Sequence, residues 1–439
     1  MTAVVTAPRA HSLRRLIPSA YRADPFAGQL ARALLLALLL RLLFMPFAAH
    51  NDYLSEHWVA ARIAFLGDLY PSPDQLLSHY LDAAFLWLVA PVVPAVKRLL
   101  LPPAELGAAL HASPLHFLTF AADPAANRVL FVTKLPYLAA DLAGARVLLS
   151  LADRPEEGVR AWCWWLLNPF SLFATYIYGR QEPYGLLLVG LATFYMLRDR
   201  IWRAALFLGL AVSARVTPLA LAPLLVGTAS KRWRERAGLV AVIATSAAAM
   251  PLLLQGVLGL KASVVVSGDR ELLPGMWNAI GSTYPVYVFF VLYGLLLIVA
   301  ESLGGARPRF LELGAISYML MFALTWQSVH YYCWALPFVV PLLARGRLPA
   351  RLYVSHMATW AGYWCLAGSS GVFSLYLLSP LSTSLCCLTG AAELVAELLP
   401  SLPPDRLVVL LRSGLTATSL ACAACLAMAM ARDWLGDRA

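Results

Sequence analysis

The apolar run Leu30 to Ala49 passes directly into His50-Asn51-Asp52-Tyr53-Leu54-Ser55-Glu56-His57-Trp58. The first part matches the roughly 20 apolar residues that a bilayer-crossing helix needs. The second part sets two acids and two histidines where that helix leaves the bilayer. Such a cluster is either solvated loop or the floor of a site, and the rest of the chain has to decide which. No small-residue cleavage site follows the run, so it reads as a retained helix and not a removed signal.

The surrounding composition agrees with a membrane helix. Of 439 residues, 60% are hydrophobic and 13% charged, and the mean hydropathy is +0.69. A soluble globular domain does not have this composition. Long continuous Leu/Ala/Val runs exclude a β-barrel, whose segments are short and alternate. The expected fold is all-α and polytopic, with about 12 membrane segments. The net charge of +10 comes mostly from Arg. It is spread over short inter-helix loops, as the positive-inside rule requires, which argues against nucleic acid as a partner. The seven Cys show no metal-ligand spacing and read as buried or interfacial thiols. No fixed-period repeat is present.

Residues 1–27 read as a cytoplasmic arm, 28–345 as a membrane domain and 346–439 as C-terminal membrane helices. Within the membrane domain, 50–127 is an outer loop with amphipathic helices lying on or partly in the surface. Spans are expected near 129–150, 161–178, 184–197, 238–254, 284–302, 310–329, 331–345, 351–369 and 406–431. The run 204–229 has basic clusters at both ends, Arg198/Arg200/Arg203 and Lys231/Arg232/Arg234/Arg236. One straight helix would put one cluster outside. A hairpin at Arg215-Val216-Thr217-Pro218 keeps both inside, and Pro218 breaks the helix there by lacking a donor N–H.

Polar residues at outer span ends are the candidates for chemistry. They are Asp52, Glu56 and His57 after the first span, and Lys134 and Asp141 at the next. Gly179-Arg180-Gln181-Glu182-Pro183 forms a tight turn. Arg215 sits at the hairpin tip, and Gln327, Ser328, His330 and Tyr331 at a later turn. A cation in the middle of an apolar run costs about 2.5–3.5 kcal/mol unless paired or hydrated, which makes Arg215 an anion-ligand candidate. Arg41 either pairs internally or faces a hydrated cavity. His79 and Asp82 are weaker candidates for an acceptor groove, and Asp269-Arg270-Glu271 reads as a charged outer loop.

Three further stretches carry a resemblance. They are Trp165-Leu166-Leu167-Asn168-Pro169-Phe170, Gly209 to Pro218 with its basic-x-x-Pro tip, and Ser328-Val329-His330-Tyr331-Tyr332. With the Gly179–Glu182 turn, their order resembles the glycosyltransferase-C superfamily. It is most similar to the catalytic subunit of GPI mannosyltransferase I and to bacterial polyprenyl-phosphate-dependent mannosyltransferases. The resemblance covers roughly residues 28–345. It implies Asp52 as catalytic base, and Arg215 and His330 as ligands of the phosphate of a lipid-linked donor. Where the mannosyltransferase I pattern has Asp-x-Asp, this chain has Asp52-x-x-x-Glu56.

The resemblance implies transfer of a sugar, with mannose favoured, from a polyprenyl-phosphate donor to a glycolipid acceptor on the outer or lumenal face. An acceptor hydroxyl needs one carboxylate within hydrogen-bond reach to take its proton. The leaving lipid phosphate needs Arg or His to carry its developing charge. Glu56, His57, Arg180, Gln181, Glu182, Lys134 and Tyr331 are the further substrate-binding candidates. No metal ligands are assigned, and a divalent metal stays open but is not indicated. The expected partners are membrane lipids, the lipid-linked donor, the acceptor and a small membrane subunit. Two alternatives stay open, a non-catalytic lipid-binding subunit of the same fold and a transporter or flippase. Absence of repeats and charge gathered at one face disfavour the transporter. High Arg/Ala/Leu usage points to a GC-rich genome and a bacterial plasma membrane, with the endoplasmic reticulum as the eukaryotic alternative.

Overall fold

The computed structural model describes residues 26–70, 75–101, 114–261, 279–280, 286–325, 328–367, 377–388, 391–398, 400–401 and 403–436. Among them the structure is helical, apart from a two-residue antiparallel pairing of Ala279–Ile280 with Val286–Tyr287. Most of the expected N-terminal arm, the loop Asp269-Arg270-Glu271 and Gln327 lie outside the described residues.

The first span, α1 (Phe26–Phe44), stops short of the expected Ala49. Pro46 lacks a donor, and the chain turns over Met45 to Phe47 before running extended to His50. The outer loop then folds as α2 (Asn51–Ala61), α3 (Leu76–Val89), α4 (Pro114–Ala122) and α5 (Ala126–Thr133). These share a core of their own around Tyr53, Leu54, Leu86, Phe117, Phe120 and Val129.

The bundle follows as α6 (Leu135–Leu149), α7 (Pro155–Leu166), α8 (Glu182–Leu197), α9 (Ile201–Ala214), α10 (Ala222–Ala229) and α11 (Trp233–Pro251). It is completed by α12 (Val288–Ser302), α13 (Phe310–Leu324), α14 (Leu336–Ala344), α15 (Ala350–Ala367) and α16 (Pro404–Gly436). α8 packs on α6 and α9, α9 on α11, and α16 on both α13 and α15. α13 is buried on every side, as expected of an apolar helix at the centre of a bundle. Leu35, Leu39, Val240, Leu253, Phe290 and Ile298 instead point outward from α1, α11 with its π-helical extension and α12, giving the bundle an apolar exterior.

Among the described residues, three helices are long and apolar enough to cross a membrane: Phe26–Phe44, Trp233–Val257 and Pro404–Leu435. Shorter apolar helices of 10–17 residues make up much of the rest. The expected number, about 12, exceeds these three because prolines divide several apolar runs. Pro136 separates α5 from α6, and Asn168-Pro169 interrupts the expected 161–178 span. The 204–229 run folds back as expected, through a 3₁₀ turn at Thr217–Leu221. Both its ends return to one place. Arg307 bonds Asp199 Oδ1 through Nη1 at 2.6 Å and Ala229 O through Nε at 3.2 Å.

That end of the bundle is tied by surface ion pairs, Arg345–Asp153, Arg236–Glu301 and Arg309–Asp433 among them. The starts of α2 and α8, the end of α9 and the turn before α14 meet in a second cluster of charge.

Candidate active site

Two glycines draw the pieces together. Gly179 has φ +87°, and a Cβ there would lie 3.2 Å from the Tyr53 ring. The turn therefore lies directly on α2, and only glycine fits its backbone without strain. At Gly185 a Cβ would come within 2.3 Å of Trp334, so the start of α8 packs flush against the 329–335 turn. Arg180, Gln181 and Glu182 are held between these contacts. The His50 N–H donates to Tyr178 O at 2.9 Å, and the two rings stack with centroids 4.0 Å apart.

On α2, Asp52 and Glu56 are four residues apart and share a face. Arg180 Nη1 binds both, at 3.1 Å to Asp52 Oδ2 and 2.9 Å to Glu56 Oε1. Gln181 Nε2 donates to Glu56 Oε2 at 3.0 Å. Arg215 Nη1 lies 3.8 Å from Glu56 Oε1, and its Nε 3.8 Å from Glu182 Oε1. His330 Nε2 approaches the same Glu182 oxygen at 3.8 Å. The Arg215 guanidinium also bonds Tyr331 OH at 2.6 Å and lies over its ring. Asp52 is the open member, with 36% of its side chain exposed against 0–11% for Glu56, Glu182, Arg180, Arg215 and His330.

Charge decides the protonation states. Burial would raise the Asp52 carboxyl, but Arg180 and His50 outweigh it and hold the group well below the usual carboxylate range. Glu56 is lowered too, where Arg180, His79 and Arg215 overcome its burial. His330 sits at the turn before the α14 apolar run. Burial, with Arg180 and Arg215 beside it, pushes its imidazole well below the ordinary value, so it is neutral at neutral pH. Ser328 Oγ lies 2.9 Å from His330 Nδ1. With the hydroxyl donating, Nε2 carries the proton and faces the cluster as a neutral donor.

Asp52, Glu56, Arg180, Gln181, Glu182, Arg215, His330 and Tyr331 thus come together. Glu182 faces Arg215 and His330, whereas the Arg180 ion pairs go to Asp52 and Glu56. His57 and Lys134 do not join the cluster. The imidazole of His57 is buried between Tyr53 O at 2.9 Å and Tyr137 OH at 3.3 Å. Lys134 is fully buried, and its ammonium is taken up by the carbonyls of Met45, Ala48 and Tyr176. There it pins the chain after α1 to the 173–178 segment. Asp141 pairs with Arg41 at 2.8 Å, inside the protein. Asp82 accepts from Tyr137 OH at 2.9 Å and Tyr184 OH at 2.8 Å, while His79 reaches Glu56 at 3.5 Å.

Gln75 was missed. Its amide sits among Glu56, Gln181 and Arg215. A polar residue after a Pro-Ser-Pro stretch carries no signal of that position. Among the described residues, no group of three His, Cys, Asp or Glu side chains is placed to hold a metal ion.

Against known proteins, the family model described as glycosyltransferase family 87 matches residues 102–279, less than half of the chain. The match includes Arg180, Gln181, Glu182 and Arg215, while Asp52, Glu56 and His330 lie outside it. No curated protein matches. The family match supports a glycosyltransferase, and the apolar helices support a membrane protein.

Proposed function

We propose that the chain is an integral-membrane glycosyltransferase that takes a sugar, mannose in our reading, from a polyprenyl-phosphate donor. The acceptor is a lipid or glycolipid hydroxyl, and the setting is the outer face of a bacterial plasma membrane. The observation that carries this reading is one partly exposed carboxylate, Asp52, at the edge of a buried cluster with two guanidinium groups and an imidazole. The match to glycosyltransferase family 87 supports the glycosyl-transfer part of it.

The step is a single displacement. The acceptor oxygen bonds to the anomeric carbon as its proton passes to Asp52. The bond from that carbon to the phosphate oxygen breaks, and the lipid phosphate leaves with the electron pair. Inversion follows, because nucleophile and leaving group occupy opposite faces. Arg215 and the His330 Nε2–H bind the phosphate and stabilise its growing charge, as fixed donors do best in a site closed to water. Arg180 keeps Asp52 ionised before the acceptor arrives. The lipid anchors the donor at the membrane surface, so no nucleotide-binding domain is needed. A small membrane subunit, as expected from the resemblance, would co-purify with the protein from its native membrane.

The test is transfer from polyprenyl-phosphate mannose by purified protein, comparing wild type with Asp52→Asn. Loss of transfer in a variant that melts normally is the expected result. Transfer at the wild-type rate by that variant would remove Asp52 from the mechanism.

A further inference from the structure

Gln75 caps the start of α3 in left-handed backbone, φ 54° and ψ 31°. Glycine adopts that conformation freely, and Asn or Asp does so more readily than Gln. Among the described residues only Asp199 shares it outside glycine. Something holds Gln75 there, and its side chain shows what.

Its Oε1 accepts from Arg215 Nη1 at 2.5 Å and from Gln181 Nε2 at 2.8 Å. A guanidinium and an amide therefore converge on a single oxygen, a donor set suited to a phosphoryl oxygen. Two more buried donors nearby, Arg180 Nε and His330 Nε2, have no hydrogen-bond partner. Little would be lost if the amide left. Its own donated bond, to Glu56 Oε1, is long at 3.4 Å. Glu56 keeps Arg180 at 2.9 Å and Gln181 at 3.0 Å.

We infer that Gln75 Oε1 occupies the position of a substrate phosphate oxygen, so that Gln75 is a built-in stand-in which the lipid-linked donor displaces and which sets donor affinity. Assigning the phosphate to a lipid-linked donor rests on the function proposed above, whereas the oxygen position rests on the geometry alone. On binding, the phosphate takes Arg215 and Gln181 from the amide, and the Gln75 backbone is released from its left-handed conformation. Gln75 is a positioning residue in this scheme and takes no part in bond making.

The experiment is direct binding of a short-chain isoprenyl phosphate, and separately of inorganic phosphate, to the purified full-length protein. Wild type is compared with Gln75→Gly and Gln75→Glu. Glycine suits the backbone and removes the competitor, so the dissociation constant for isoprenyl phosphate should fall by about three- to tenfold. Glutamate keeps the shape and puts a charge on Arg215, so the constant should rise at least about tenfold. Melting curves establish that both variants fold. Unchanged or weaker binding by a folded Gln75→Gly overturns the inference, as does wild-type binding by Gln75→Glu. Inorganic phosphate bound more tightly than isoprenyl phosphate overturns the lipid-linked assignment. Because the readout is binding, failure of mannose transfer would sink the proposed activity and leave the phosphate-oxygen position at Gln75 Oε1 to be judged by the binding constants alone.

Discussion

Two buried clusters of charge among the described residues are finished differently. In the first, Arg41 bonds Asp141 at 2.8 Å and the Leu166 carbonyl at 2.7 Å. Asp141 also accepts from Trp165 Nε1 at 2.7 Å and Tyr176 OH at 2.8 Å. Only Arg41 Nη2 is left without a partner there. In the second, around Asp52, Arg180 Nε and Gln181 Oε1 are buried without a hydrogen-bond partner, and His330 Nε2 has only the Glu182 carboxylate at 3.8 Å. An unmade buried hydrogen bond costs about 1–3 kcal/mol, so a fold keeps such atoms where something else uses them. The closed cluster braces α1 against α6 and α7. The open one offers the donors that the proposed donor phosphate would need. Both come from charges within or beside apolar runs, so charge and hydropathy alone do not separate them.

The sharpest way to break this contrast is to remove one acid from each cluster. Asp52→Asn should lower transfer by about a hundredfold to ten-thousandfold, the range for loss of a general base, with little change in melting temperature. Asp141→Asn should do the reverse. It leaves Arg41 buried without its counterion, a loss of about 3–5 kcal/mol of stability, measured as lower yield and an earlier melt. The remaining folded protein should keep its turnover per molecule. If Asp141→Asn abolished turnover at unchanged stability, the closed cluster would be part of the machinery and the contrast would fail.

A smaller effect tests the cation side of the open cluster. Arg215 uses Nη1 and Nη2 on different partners, Gln75 at 2.5 Å and Tyr331 at 2.6 Å. Lysine supplies the charge but not the planar fork. Arg215→Lys should therefore raise the donor KM by about tenfold or more and change kcat less, as read from initial rates over a donor titration. A change confined to kcat would move Arg215 from donor binding to the chemical step.

How far the sequence foretold this contrast depends on distance along the chain. Turns announce themselves locally. Pro218 marked the hairpin, and Gly179 with Pro183 marked the tight turn, since backbone needs act on neighbouring residues. The positions of Asp52, Arg215 and His330 at segment ends were legible from hydropathy. Partner choice was not. Lys134 and Arg180 are both cations at segment ends, yet one is spent on three carbonyls and the other on two carboxylates. The difference lies in which distant segment packs nearby, and that follows from close contacts such as Gly185 on Trp334. Gln75 was illegible for the same reason. Its three partners belong to three other segments.

The smallest expected effect is in pH and separates the acids of the open cluster from its histidine. Asp52 and Glu56 have folded-state values below their unfolded ones. Their contribution is complete above the unfolded pKa, about 4, and is lost only as pH falls through the lowered values. They should give no pH dependence between about 5 and 8. His330 is also lowered, but from a reference near 6.5. Below that pH the unfolded chain takes up a proton that the buried imidazole does not, so stability falls as the solution is acidified. One such group contributes at most about 1.4 kcal/mol per pH unit. Melting temperature should therefore decline from pH 7 to 5 in wild type, and less steeply in His330→Gln, which holds a neutral side chain in the same place. Equal slopes in the two proteins would mean that the folded imidazole takes up its proton over the same pH range as the unfolded one, and a steeper decline in His330→Gln than in wild type would mean that it is already protonated in the fold at neutral pH. In either case the neutral-donor role assigned to its Nε2–H would have to be given up.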